Sequence, residues 1–331
     1  MNKTLIIAEI GVNHNGRFKL AKKLIHEAKK SGADIVKFQI FKADDLTTEN
    51  TTVAKYQEIT KFKKQYLMLK KLELSDKNFI KLNDICKKIK IEFCASFFNE
   101  ENLYLIKKLK LKIVKIPSGE ITNFFLLKKI ASFNKKIILS TGMSNLQDIT
   151  RAINVLIKFG TKKSNITLLH CNTEYPTPLN DVNLLAIKSL KKHFNLNVGY
   201  SDHTLSKEVP ISAVSMGACV IEKHLTLNKK LPGPDHSSSL NSREFKLLVQ
   251  SIRNTEQILG KEKKFVSKSE KKNIKKCRQF LVAKKDIDKN EIFNLKNLTC
   301  KRIGLRGISP MDLGKIIYKK AKKAYKKDEK I

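Results

Sequence analysis

The 331-residue sequence predicts a (β/α)8 barrel followed by a small, strand-rich C-terminal domain. Three observations carry that prediction. Short, near-continuous apolar runs alternate with amphipathic stretches, as parallel strands covered on both faces require. Eight such runs fall within about 225 residues, close to the roughly 250 of a typical barrel. The runs end in lysines, hydroxyls, carboxylates and histidines, where barrel enzymes carry their chemistry.

The first run is Thr4-Leu-Ile-Ile-Ala-Glu-Ile10, and Gly11-Val-Asn-His-Asn-Gly16 follows as a loop of turn residues. Residues 18–31 have helical periodicity and stop at Gly32. Further strands are read at 34–39, 92–96, 113–116, 136–140 and 166–170, with helices at 146–159 and 184–193 among the connections. Strand 197–200, helix 209–217 and strand 218–221 form a strand–helix–strand unit. Pro210 lies in that helix's first turn and Gly217 ends it. Such a unit makes its strands parallel, so His203 and His224 fall just past the carboxyl ends of neighbouring strands. Two imidazoles there are a candidate divalent-metal pair, against a reading as unrelated core or surface histidines. A doubly wound open sheet is the rival architecture. No GxGxxG follows the first strand, which weakens its dinucleotide-binding version.

Leu231-Pro-Gly-Pro-Asp-His236 reads as a loop, and 242–259 as a helix capped by Gly260. The domains are therefore 1–260, a lysine-dense linker over 261–279, and 280–331. In the last, Phe280 opens a strand and Thr299-Cys-Lys-Arg-Ile303 is another. About 50 residues make a marginal core, so this domain is expected to lean on the barrel or on a second subunit.

Net charge is +36, yet only 7 of the 67 basic residues are Arg. Nucleic acid is usually gripped with a good share of Arg, whose planar fork is bidentate, so a solvated lysine surface explains the charge better. Such a surface still attracts small anions. No apolar run is long enough to span a membrane, and Met1-Asn-Lys-Thr leads straight into a strand without a signal peptide. Six scattered cysteines without a CxxC pair indicate reduced thiols, hence a cytoplasmic protein.

The polar residues at the strand ends include Glu9, Lys37, Gln39, Ser96, Lys115, Ser118, Glu120, Ser140, Thr141, His170, Ser201, His203, Glu222 and His224. Lys37 and Lys115 sit among Val, Ile and Phe, and a buried lysine is costly unless it meets an anion. A single one would read as a snorkelling side chain. Two of them beside Ser118, Ser140 and Ser201 read as an anion cradle for phosphate and carboxylate.

The strings AEIGVNHNG (8–16), GADIVKFQ (32–39), KIPSGEITN (115–123), ILSTGMSNLQDI (138–149), LLHCNTEYPTP (168–178), VGYSDHT (198–204), EKHLTL (222–227) and PGPDH (232–236) resemble the sialic acid synthases. The tail, with NLTCKRIG and GISPMD, resembles their C-terminal antifreeze-like (SAF, β-clip) domain. The resemblance covers essentially the whole chain in order. It implies a transferase reaction in which phosphoenolpyruvate condenses with an N-acetylated hexosamine to give a nonulosonic acid and phosphate. It implies a divalent metal, Mn2+ with Mg2+ or Co2+ as alternatives, on His203 and His224. By the same resemblance Lys37, Lys115, Ser118, Ser140, Thr173 and Ser201 bind phosphoenolpyruvate, and Glu120 moves protons. Glu9, Gln39, Tyr175, Asp235 and Arg302 fall on sugar-side positions, Arg302 coming from the partner in a domain-swapped homodimer. The family's usual Lys-Arg-Pro-Gly reads Lys301-Arg-Ile-Gly304 here, and Arg306 nearby is an alternative to Arg302.

The forms PSGEITN, TEYP and SDHTLSKEVPISAV lean toward N,N'-diacetyllegionaminate synthases over N-acetylneuraminate ones. A pseudaminate-type synthase, another phosphate-binding barrel aldolase, and a non-enzymatic basic protein binding polysaccharide or nucleic acid are the alternatives. His14 reads as loop structure or substrate-side, His170 as core, and Cys171 as a small buried filler. Glu222 has the alternative of hydrogen-bonding a histidine.

Overall fold

Eight parallel strands close on themselves in sequence order. They are β1 (Leu5–Gly11), β2 (Ile35–Ile40), β3 (Glu92–Phe97), β4 (Ile113–Ile116), β5 (Lys136–Ser140), β6 (Ile166–Cys171), β7 (Asn197–Asp202) and β8 (Val220–Thr226). Strand β1 bonds both β2 and β8, which makes the sheet a barrel. The structure is a computed structural model describing residues 3–331. Met1 and Asn2, part of the stretch read as free of a signal peptide, lie outside the described residues. The chain divides into two units, one ending at Gly260 and the other Lys261–Ile331.

Strand alternation explains how the barrel is filled and where its chemistry begins. Ile7, Ile35, Cys94, Ile138, Leu169 and Val220 form a separate apolar cluster of six buried side chains. Two residues further along the same strands stand Glu9, Lys37, Ser96, Ser140, Cys171 and Glu222. An apolar layer therefore plugs the barrel and a polar layer lies next above it, on the carboxyl side. The opposite strand faces join the helices in a much larger core. Burying each Ile, Leu or Phe there contributes about 1.5–3 kcal/mol.

Most strands match the reading from sequence within one or two residues, the usual ambiguity of ends. Strand β8 differs: it starts at Val220 and runs to Thr226, so His224 lies within it rather than past its end. The charged Glu222 and Lys223 do not stop the strand, because each finds a buried partner of opposite charge. The stretch after β2, unassigned from sequence, holds the helices Ala43–Leu46, Gln65–Leu72 and Asp76–Lys88 and a 3-10 turn, Lys55–Thr60. Phe41, Met68 and Leu72 from this excursion join Val12 in a small core of their own. Helix Ser242–Leu259 starts as read, with Asn241 and Glu244 capping each other's backbone N–H groups.

In the second unit the linker stretch contains two single-turn helices, Lys268–Lys271 and Ile274–Cys277. After the two-residue β9 (Leu240–Asn241) of the first unit, which pairs with β8, the next strands, β10 (Phe280–Ala283) and β11 (Leu298–Lys301), pair antiparallel with each other. Ala283, Ile287, Phe293, Leu298 and Ala321 make its core. Among the described residues no helix is long and apolar enough to cross a membrane. All six cysteines are free thiols.

Candidate active site

At the carboxyl end of the barrel, Glu9, Lys37, Lys115 and Glu222 form a buried quartet. Register places Glu9 beside Lys37 on adjacent strands, and Lys37 Nζ lies 2.7 Å from Glu9 Oε2. Lys115 reaches across from β4 to Glu222 on β8, 2.9 and 3.1 Å from its two oxygens. Lys37 is 3.7 Å from Glu222, and Ser201 Oγ donates to Glu222 at 2.9 Å. The four side chains are 2–5% exposed. Dehydrating such ions costs several kcal/mol each, which only close, multiple pairing offsets.

The pairing splits the two acids. Burial pushes Glu222 up, but Lys115 and Lys37 outweigh burial and hold it down to about 2. Glu9 is pushed up, chiefly by burial, against the opposing pull of Lys37. Burial opposes the charge on Lys37, but Glu222 and Glu9 reverse that and raise its pKa. The anions the two lysines meet are thus the chain's own carboxylates. Glu222 serves the lysines and Ser201 rather than a histidine. The sequence offers Glu222 a histidine as partner and gives no sign of this pairing across the barrel.

Above this quartet the rings of His203 and His224 stand 5.7 Å apart, tilted by 59°. His203 Nδ1 lies 2.6 Å from the Asn172 carbonyl. A carbonyl only accepts, so Nδ1 carries the proton and Nε2 keeps its lone pair. Burial lowers the His203 pKa to about 4, with the Asn172 bond opposing. Burial, reinforced by His203, also drives His224 well below its ordinary value. The buried Nδ1 of His224 has no hydrogen-bond partner, and Asp235 Oδ2 is 3.9 Å away. Two neutral imidazoles with available lone pairs fit a divalent ion. Among the described residues no group of three or more His, Cys, Asp or Glu could hold one, so further positions would fall to water and substrate oxygens. Tyr175 stacks on His203 at 4.1 Å and meets the edge of His224 at 5.8 Å.

These groups open into a cavity of about 550 Å³. It collects Gln39, Ser118, Glu120, Ser140 and Thr173 with the quartet, Ser201, Tyr175 and both imidazoles. Gly142 donates its N–H to Ser118 Oγ at 3.0 Å, and a Cβ there would stand 2.8 Å from that oxygen. Gly11 has φ +51°, and a Cβ would crowd Glu9 and Gln39 at 3.1 and 3.3 Å. Burial raises Glu120, opposed by a 2.7 Å bond from Asn123. Asp235 packs beside His224 without lining the cavity. Arg302 is exposed within the second unit, one residue past β11.

Several features were not anticipated. Phe41, Leu46, Leu69 and Phe98 give the cavity an apolar side, and Tyr56 stacks on Tyr175 at 4.9 Å. The unusually long connection between the second and third strands was the available signal. Three of the other five histidines bond to nearby groups of the chain. His14 accepts the Gly16 N–H, His170 bonds the Val182 carbonyl and His236 bonds Thr226. Cys171 Sγ lies 3.2 Å from Ser118 Oγ.

Burial raises Asp235 to about 7, with Glu9 adding to it. The native state therefore retains a proton that the unfolded chain has already lost at its ordinary value of about 3.9. The penalty grows as pH rises from there and is complete above about pH 7. Asp235→Asn is expected to raise the melting temperature by about 5 °C at pH 8, and by less at pH 5. Melting curves at the two pH values test this; an equal gain at both would contradict it.

The model of the NeuB family matches residues 24–264, and that of the SAF domain residues 278–331. The chain is 54% identical to the N,N'-diacetyllegionaminic acid synthase of Campylobacter jejuni, over 100% of this chain and 99% of that protein. It is 44% identical to the protein of the same name from Legionella pneumophila, over 94% and 88% of the two chains. The crystal structure of N-acetylneuraminic acid synthetase from Leptospira borgpetersenii superposes with a TM-score of 0.72 at 34% identity, covering 82% of this chain and 90% of that one.

Proposed function

The chain belongs to the NeuB family, and on that premise we propose that it joins phosphoenolpyruvate to an open-chain N-acetylated hexosamine. The products are a nonulosonic acid and phosphate. The sugar is a 2,4-diacetamido-2,4,6-trideoxyhexose and the product N,N'-diacetyllegionaminic acid; the 54% identity to the Campylobacter synthase supports this over N-acetylmannosamine. The observation that carries the reaction class is the buried quartet of Glu9, Lys37, Glu222 and Lys115 beside two neutral imidazoles.

The methylene carbon of phosphoenolpyruvate bonds to the aldehyde carbon, water adds at the enol-ether carbon, and the C–O bond to phosphate breaks. Lys37 and Lys115, with Ser118, Ser140, Thr173 and Ser201, bind the phosphate and carboxylate. Glu120, raised by burial, holds a proton for the aldehyde oxygen or takes one from the attacking water. Glu9, Gln39 and Tyr175 position the sugar from the cavity wall, and Asp235 supports them from beside His224. His203 and His224 would hold a divalent ion, Mn2+ with Mg2+ or Co2+ as alternatives, which supplies a Lewis acid for the aldehyde.

In a domain-swapped homodimer in the cytoplasm, Arg302 of the second copy meets the N-acetyl group and its domain acts as a lid. Arg302→Ala is then expected to raise the Michaelis constant for the sugar about tenfold, an interaction of about 1.4 kcal/mol, and to leave that for phosphoenolpyruvate nearly unchanged. Steady-state kinetics with each substrate varied would show it. Equal effects on both constants would remove Arg302 from the sugar.

The test of the reaction is phosphate release from phosphoenolpyruvate with Mn2+, with and without EDTA. N-acetylmannosamine and 2,4-diacetamido-2,4,6-trideoxymannose run in parallel. Release that requires metal and is faster with the diacetamido sugar is the expected result. Faster release with N-acetylmannosamine would overturn the choice of sugar, and no release with either would overturn the reaction.

A further inference from the structure

Strand alternation turns Ser201 and Glu222 toward the cavity and leaves Asp202 and Lys223 for the helix-facing side of the barrel. These two residues are register partners on β7 and β8, and each immediately precedes one of the two histidines. Their side chains are 0% and 1% exposed, and Lys223 Nζ lies 2.6 Å from Asp202 Oδ2. The other carboxylate oxygen, Oδ1, accepts the Thr204 N–H at 2.9 Å, and Lys223 also donates to the Thr204 carbonyl. Thr204 is itself fully buried. The peptide groups on both sides of Thr204, the residue after His203, are thereby tied, from behind, to the strand that carries His224.

Stability alone does not account for such a pair. Replacing a buried ion pair with apolar side chains of similar volume is often neutral or stabilising. The pair does fix geometry: one carboxylate and one ammonium bind two neighbouring strands and the turn that follows His203. We propose that Asp202 and Lys223 are positioning residues, which set the orientation of His203 and its distance from His224 without touching substrate. The ring of His203 is then fixed at two points, its backbone by this knot and its Nδ1 by the Asn172 carbonyl. That the aimed imidazoles hold a metal rests on the function proposed above; their aiming does not.

The experiment compares wild type with two double variants, Asp202→Leu/Lys223→Met and Asp202→Asn/Lys223→Met. The asparagine keeps an acceptor for the Thr204 N–H, so this second variant decides if the first fails to fold. Histidine-selective 15N labelling reads the His203 tautomer in metal-free protein, and an EPR titration of Mn2+ reads affinity. Wild type is expected to show one Nδ1–H tautomer at His203. The variants should melt within a few degrees of wild type, show mixed tautomers or broadened His203 signals, and bind Mn2+ about tenfold more weakly, as loss of a supporting contact behind a ligand does. Unchanged His203 signals in a folded double variant would overturn the proposal. A wild type that shows the fixed tautomer but no Mn2+ binding would instead overturn the metal reading, leaving the positioning role standing.

Discussion

Replacing Glu222 with alanine is expected to lower the melting temperature by about 10 °C, and phosphoenolpyruvate to restore part of the loss. Glu222 is the main counterion of Lys115 and the more distant one of Lys37. Without it, Lys115 loses both of its close carboxylate contacts, and Lys37 keeps only Glu9. Stranding a buried charge in this way costs about 3–5 kcal/mol. The size of the effect depends on pH with a definite sign. Glu222 is held down to about 2, so its contribution is fully present above its ordinary value and fades as pH falls toward 2. The gap between wild type and variant should shrink on acidification through that window. Ligand should act in the opposite direction to the mutation. In wild type a phosphate or carboxylate must share lysines already paired with Glu222; in the variant the same lysines lack an anion. Phosphoenolpyruvate should therefore raise the variant's melting temperature more than that of wild type. Glu222→Gln, which keeps an acceptor for Ser201, should fall between the two proteins. Melting curves with and without ligand decide the matter. A variant as stable as wild type would mean the lysines do not depend on Glu222. A smaller ligand shift than in wild type would mean they do not receive the substrate's anionic groups.

The barrel was legible because its signal is local. Each strand announces itself as a short apolar run, and the polar residue two places beyond the inward apolar one marks the start of the site, as in Ile7 and Glu9 or Ile35 and Lys37. What stayed hidden depends on partners far apart in the chain. Lys115 and Glu222 are separated by 107 positions, and nothing near either one names the other. The end of β8 was misplaced for the same reason: Glu222 and Lys223 look like a strand terminator until their counterions are known. The apolar side of the cavity was missed because Leu46 and Leu69 lie on helices of only four and eight residues, too short for strong periodicity. Linking His203 to His224 worked because the strand–helix–strand unit between them fixes their neighbourhood by chain topology alone.

His224→Ala is expected to reduce metal-dependent turnover by about a thousandfold while the fold remains intact. The two halves of this expectation have separate causes. His224 is one of the two neutral imidazoles facing each other at the cavity, so its loss leaves a divalent ion with a single protein donor. Lewis-acid assistance is worth several kcal/mol, and each 1.36 kcal/mol is about a factor of ten in rate. Stability is affected less. The buried Nδ1 of His224 has no hydrogen-bond partner, so removing the ring relieves a polar penalty as it opens a small cavity. His203→Ala should behave differently. It also removes the 2.6 Å bond to Asn172, leaving that carbonyl without the imidazole donor, and should lower the melting temperature further for a similar loss of turnover. Measuring phosphate release, Mn2+ affinity and melting temperature on both variants separates chemistry from folding. If His224→Ala turned over near the wild-type rate, neither histidine could be assigned to a metal. If it lost both activity and cooperative melting, His224→Asn would provide the decisive comparison, since it fills more of the site and retains a side-chain polar group.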